Sequence, residues 1–251
     1  MKKYKIFAFL SIIGLLTYCS RTIQRVDPIK VAASAYYEPF VYHNKKGDLI
    51  GFEVELIKEI LKRINQPFII EELKFSELVS AVEGERADVG ISAMTITSER
   101  ENKMDFSIPY LQSHQAIVVS HQNKASTIED LHPKNLLIQK SSSHPTLMKK
   151  LLDRFPEASI VEIQDITTML EEFHKNCNTH TMMILDEAVA YNLVQQDKTL
   201  KVKIITFPDE EMPIAIALPK NSKWRRPINQ ALEHIIEDGT LDKLKKKYGV
   251  H

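Results

Sequence analysis

Two short stretches carry side chains that could grip opposite charges at once. Ser92-Ala93-Met94-Thr95-Ile96-Thr97-Ser98-Glu99-Arg100 offers backbone N–H groups, the Thr95 hydroxyl and the Arg100 guanidinium. All are donors and suit a carboxylate, which the planar fork of an arginine can hold through two parallel bonds. Leu185-Asp186-Glu187 offers a charged acceptor suited to an ammonium. One cationic and one anionic site match the two ends of a zwitterion. Spacing alone leaves an ordinary role open for each. An arginine in the first turn of a helix is commonly solvated, and an aspartate at a strand end commonly caps the next helix. No nucleophile–base–orienter set and no phosphate loop accompanies them. His174-Lys175-Asn176-Cys177-Asn178-Thr179-His180 sets a cysteine between two histidines, ligand types that suit zinc. No fourth ligand is evident, so the stretch reads as a polar loop and no metal is expected. His114 and His121 flank a strand and are expected at the surface.

Both stretches lie where a strand runs into a helix. In open α/β sheets, ligands bind beyond the carboxyl ends of strands, beside helix N-termini. The flanking pattern supplies such sheets. Ile29–Ala33, Phe68–Glu72 and Asp88–Ser92 read as strands. Glu53–Asn65 reads as a helix, with Val54, Ile57, Leu61 and Ile64 recurring on one face. A second helix has Ser76 as its expected cap, and a third runs from Thr97 to Lys103. The alternation then restarts. Strands are expected at Ala116–Ser120, Leu136–Ile138, Ile160–Ile163 and Met182–Leu185, and helices at Thr146–Arg154, Ile166–His174 and Glu187–Gln195. A strand over Ile214–Leu218 and helices over Pro227–Glu237 and Leu241–Tyr248 close the chain. Alternating strand and helix argues for mostly parallel sheets covered on both faces.

The 251 residues suffice for two modest cores. Lys+Arg and Asp+Glu are both 33, so no basic surplus points to nucleic acid. Residues 1–18 differ from the rest. Lys2, Lys3 and Lys5 precede an apolar run, Ile6–Leu16, too short to span a bilayer comfortably. This is the layout of a secretory signal. Without it the chain carries 30 basic and 33 acidic residues, a net charge of −3. Leu16-Thr17-Tyr18-Cys19 resembles the lipobox of bacterial lipoproteins, where the thiol receives diacylglycerol. Leu16 fits; Tyr18 departs, because a small residue is usual there. With Cys19 acylated or removed, Cys177 has no partner within the chain.

Several further stretches carry a family resemblance. They are Tyr37-Glu38-Pro39-Phe40, Gly51-Phe52-Glu53-Val54-Glu55-Leu56, Phe75 with Leu78, and Met94 to Arg100. Asp105-Phe106-Ser107-Ile108-Pro109-Tyr110, Asp186, Asp238-Gly239-Thr240-Leu241 and Lys246-Lys247-Tyr248-Gly249 complete the series. Their order and spacing resemble the polar amino-acid-binding proteins of bacterial ABC importers, from about Ile29 to Gly249. The resemblance implies a two-lobe, type II periplasmic-binding-protein fold joined by two crossover strands. It places a tether at 19–27, one lobe at 28–112 and 212–251, and the other at 113–211. It implies that Arg100 holds the α-carboxylate, helped by Thr95 and the backbone near Ala93, and that Asp186 holds the α-ammonium. Tyr37 and Phe75 would sandwich the side chain, and Gln139, Ser142 and Ser143 would add contacts from the second lobe. Ser34 stands where the family often carries Asp, Glu or Asn; an acid there would favour a cationic ligand. Ser141 stands where Gly is common. Glu53 and Glu55 replace a commoner Asp pair and are expected to be structural. Glu38, before Pro39, is expected to point outward.

The expected protein is an exported monomer without cofactor, lipid-anchored in the periplasm. Its partners would be a free amino acid, a permease and the permease's ATPase. A cyclohexadienyl-dehydratase-like enzyme on the same fold, or a solute-sensing surface antigen, are the alternatives. The chain ends at His251, which argues against an appended catalytic domain.

Overall fold

The computed structural model describes residues 27–125, 130–141, 145–176, 180–204 and 212–250. The expected signal, Cys19, Ser142, Ser143 and Cys177 lie outside these residues. The described part opens with β1 (Ile29–Ala33), the short hairpin β2 (Tyr42–His43) and β3 (Leu49–Ile50), then α1 (Phe52–Arg63). β4 (Phe68–Glu72), α2 (Phe75–Glu83), β5 (Val89–Ile91), α3 (Ser98–Lys103), β6 (Met104–Phe106) and β7 (Leu111–Ser113) follow. β8 (Gln115–Ser120), β9 (Asn135–Gln139), α4 (Pro145–Arg154), β10 (Ser159–Ile163), α5 (Ile166–Lys175), β11 (Thr181–Asp186), α6 (Glu187–Gln196) and β12 (Leu200–Ile204) form a second unit. β13 (Met212–Ile214), β14 (Ala217–Pro219), α7 (Arg225–Glu237) and α8 (Thr240–Tyr248) complete it.

Two five-stranded sheets result, ordered β4-β1-β5-β14-β6 and β10-β9-β11-β8-β12. β1 is parallel to β4 and β5, while β14 runs antiparallel between β5 and β6. In the second sheet β9, β10 and β11 are parallel, and β8 is antiparallel to β11 and β12. Both faces of β1 are buried. Val31 and Ala33 pack with Ile57, Ile60 and Leu61 of α1, and Ala32 packs with Leu78 and Val82 of α2. Such two-sided burial is what a helix-covered parallel sheet requires. β7 and β13 pair antiparallel, Leu111 with Ile214 and Ser113 with Met212, and carry the chain between the sheets. α7 and α8 pack on α1, beside the first sheet.

Three details differ from the sequence expectation. α2 starts at Phe75, with Lys74 in the cap position, so Ser76 lies inside the helix. Burial of Phe75 beside Leu78, and the Glu77 carboxylate accepting from Lys74 N–H at 3.2 Å, close the turn earlier. The single strand expected over Ile214–Leu218 is two, because β13 pairs with β7 while β14 joins the first sheet. β12 was not expected. Leu200-Lys201-Val202-Lys203-Ile204 has the alternation of a half-buried edge strand, and β8 supplies its pairing.

Candidate functional site

The loop leaving β1 delivers Tyr37. Tyr37 N–H donates to Val41 O at 2.8 Å, and its ring stacks on Phe40 with centroids 6.1 Å apart. The segment leaving β5 is held from behind. Ser92 Oγ accepts from Ser34 N–H at 2.8 Å and donates to Ser34 O at 3.1 Å. Ala93 adopts a left-handed φ of 50°, and its N–H donates to Glu53 Oε2 at 2.8 Å. Thr97 caps α3, its hydroxyl accepting from Arg100 N–H at 3.2 Å, and so fixes the first turn that presents Arg100. The Arg100 guanidinium lies 5.6 Å from the Phe75 ring centroid. It donates to Thr95 O at 2.9 Å and, across the cleft, to Ser141 O at 2.8 Å. Arg100 is therefore not a solvated surface arginine. Burial pushes its pKa down, and Asp186 opposes that shift.

Asp186 ends β11 and is 6% exposed. It occupies the cap position of α6 but makes no capping bond with its side chain. Its Oδ2 accepts from the Tyr37 hydroxyl and its Oδ1 from Gln115 Nε2 at 2.7 Å. Burial pushes the Asp186 carboxyl up, with the bonds from Tyr37 and Gln115 and the charge of Arg100 pulling it down. Burial, then Asp186, drives the Tyr37 phenol well above its usual value. Gln115 was missed by sequence reasoning. It faces Asp186 because the β8–β11 register pairs the two residues.

Tyr37, Phe75, Ala93, Thr95, Arg100, Gln139 and Asp186 line one cavity, together with Ser92, Gln115, Ile184 and Leu185. Ser34 does not line it; it is buried beside Ser92. Ser142 and Ser143 lie outside the described residues, and neighbouring Ser141 has φ 65°, the conformation that favours glycine. The cavity measures about 30 Å³, the scale of one water. An amino acid fits only once the lobes part. Glu38 accepts from Gln196 Nε2 at 2.9 Å in an exposed bond and does not line the cavity. A larger groove, about 580 Å³, lies along Leu131, Lys134 and Phe155 in the second lobe, so volume alone does not mark the site. The opposed cation and anion, Arg100 and Asp186, line the smaller cavity. Among the described residues no His/Cys/Asp/Glu group could hold a metal ion, and His174 pairs with Asp197 at 2.9 Å.

Residues 29–251 match the bacterial extracellular solute-binding proteins, family 3. The chain is 29% identical over 222 residues to the arginine-binding extracellular protein ArtP of Bacillus subtilis, covering 87% of this chain and 84% of the relative. It is 27% identical over 223 residues to a probable histidine-binding protein of Neisseria gonorrhoeae, covering 87% and 82%. Among solved structures, an ancestral arginine-binding protein bound to glutamine superimposes with a TM-score of 0.79 at 30% identity, covering 89% of this chain and 98% of that one. These relatives are named as binding proteins, which goes against the dehydratase alternative. With the matching fold and the match over nearly all described residues, the chain belongs to family 3 of the bacterial extracellular solute-binding proteins and has its two-lobe, type II periplasmic-binding-protein fold.

Proposed function

We propose that this solute-binding protein takes a free polar amino acid, glutamine, arginine or similar, and delivers it to the permease of an ABC importer. The carrying observation is that Arg100, on the helix that follows β5 of the first sheet, and Asp186, at the end of β11 in the second, line one cavity. The open protein receives the zwitterion on the first lobe, its carboxylate on the Arg100 fork. The second lobe then swings about β7 and β13 and brings Asp186 to the ammonium, a hinge closure. The ammonium takes the place of the Tyr37 hydroxyl at Asp186. Tyr37 and Phe75 then flank the ligand side chain, and Gln139 contributes to the second-lobe wall. A thermal-shift screen over the twenty amino acids tests the reading. Polar amino acids should raise the melting temperature, and a flat response to all twenty would refute it.

The mature protein is exported, held at a membrane by a diacylglycerol on Cys19, and acts as a monomer. The basic-then-apolar layout of residues 1–18 and the position of Cys19 after it support the export and the anchor. Among the described residues no helix is long and apolar enough to cross a membrane.

A further inference from the structure

Asp186 stands where a helix would claim it. It holds the N-cap position of α6 with extended backbone, φ −60° and ψ 141°, and aspartate is among the residues that cap helices best. Its carboxylate makes no capping bond, and the residue lines the cleft cavity instead. Among the described residues, donors reach that carboxylate from three places. The Tyr37 hydroxyl comes from the first lobe and leaves when the lobes part. The Ser113 hydroxyl, on β7, has one proton to divide between Asp186 and His114 O, 3.3 Å away. Gln115 Nε2 donates to Oδ1 at 2.7 Å, and this donor shares a sheet with Asp186. The β8–β11 register sets Gln115 directly opposite Asp186, so their bond does not depend on where the first lobe stands. An ionised carboxylate only accepts, so the amide must turn its nitrogen this way.

We infer that Gln115 is a positioning residue: it occupies Asp186 Oδ1, holds the carboxylate off the N-terminus of α6 and leaves Oδ2 for the ligand's ammonium. This rests on the amino-acid reading above. An amide suits the task. A cation at this position would neutralise Asp186 and compete with the ammonium, whereas an amide orients the carboxylate and leaves its charge to the ligand. Without Gln115 the open protein has a competing arrangement. The Asp186 side chain can turn onto the N–H of Ala188 or Val189, the second and third residues of α6. A cap of ordinary strength is favoured about fivefold. Only about one-sixth of the open protein would then present the carboxylate, and the apparent Kd rises by the inverse of that fraction, about sixfold. The ammonium is common to every amino acid, so the loss is the same whatever the ligand side chain.

Calorimetry of L-arginine and L-glutamine on Gln115→Met tests this. Methionine keeps the length of the side chain and removes the donor. Kd should rise about sixfold for each amino acid that binds the parent, by the same factor for both. An unchanged Kd overturns the inference. So does a change in the ratio of the two, because that would make Gln115 a contact of the ligand side chain. Gln115→Asn, one methylene shorter, should show the same loss and serves where Gln115→Met folds poorly. The ligand-free protein supplies a second arm, which a merely structural glutamine would not move. Amide exchange followed by NMR should slow about fivefold at Ala188 or Val189 in Gln115→Met, as the carboxylate caps α6. The slowing should vanish in Gln115→Met/Asp186→Ala. Equal rates in parent and Gln115→Met overturn the inference even where Kd rises. If the parent binds neither amino acid, the amino-acid reading fails and the inference falls with it. If the parent binds and Gln115→Met binds as tightly, the reading stands and the role of Gln115 alone is refuted.

Discussion

Arg100 is placed for its shape as much as its charge. Its two terminal nitrogens reach Thr95 O and Ser141 O on opposite walls. Lysine keeps the charge but offers a compact ammonium instead of a planar fork. Arg100→Lys should therefore cost about 2–5 kcal/mol of binding. That is at least about a 30-fold rise in Kd by calorimetry with the best amino acid from the screen. Unchanged affinity would remove Arg100 from the carboxylate site. Asp186→Asn should lose comparable affinity and yet leave the ligand-free protein as stable or more so. A carboxyl whose folded-state pKa is raised by burial weakens the fold above its unfolded pKa, and the variant removes that charge. A melting temperature lowered by several degrees would contradict this. That Arg100, Asp186, Tyr37 and Phe75 come to one cavity was legible through the family resemblance, whose motifs fix their places. Gln115 was not, because it meets Asp186 only through a cross-strand register. The Ser141 carbonyl was not, because its direction depends on a backbone conformation uncommon for serine.

At the scale of elements, α1 is the piece on which the floor of the cavity depends. Gly51 precedes it at φ 133°, and a Cβ there would stand 2.1 Å from Phe40 O. Neither the backbone carbonyl nor the dihedral can yield cheaply. Gly51→Ala should destabilise the protein by about 2–4 kcal/mol in urea unfolding. It should also weaken amino-acid binding, because Glu53 is the second residue of this helix. A variant with parent-like stability would show that the turn relaxes freely. The longer helices were legible within a residue or two, since their core-facing stripes repeat at the helical period, whereas α3 was marked by its Thr97 cap. The short strands β6, β7 and β13 were harder. Each has three residues, too few for a period, and the chain changes partner between β13 and β14.

Across the whole molecule, contacts that span the cleft among the described residues include Tyr37 to Asp186, Arg100 to Ser141 and Gln196 to Glu38. Gln196→Ala breaks the last of these, an exposed one, without touching the charged pair. It should speed ligand release in stopped-flow measurements while changing Kd less than Arg100→Lys does. A dissociation rate equal to that of the parent would deny the contact a role in closure. Ligand at a hundredfold excess over Kd should add about 2.7 kcal/mol to unfolding in the parent. Cys19→Ala should move the protein from the membrane to the soluble extracytoplasmic fraction, because the diacyl group would be its sole anchor. Unaltered fractionation would mean that something else retains it. The order β4-β1-β5-β14-β6 has a consequence for how the chain comes into being. A polypeptide emerging from its N-terminus can complete the second sheet as soon as β12 is out. The first sheet must wait for β14, and meanwhile β5 shows a bare edge of Val89, Gly90 and Ile91, all buried in the finished fold. Unpaired apolar edges invite association between chains. Free fragments that end at Ile204 should thus hold a protease-resistant second lobe beside a first lobe that aggregates.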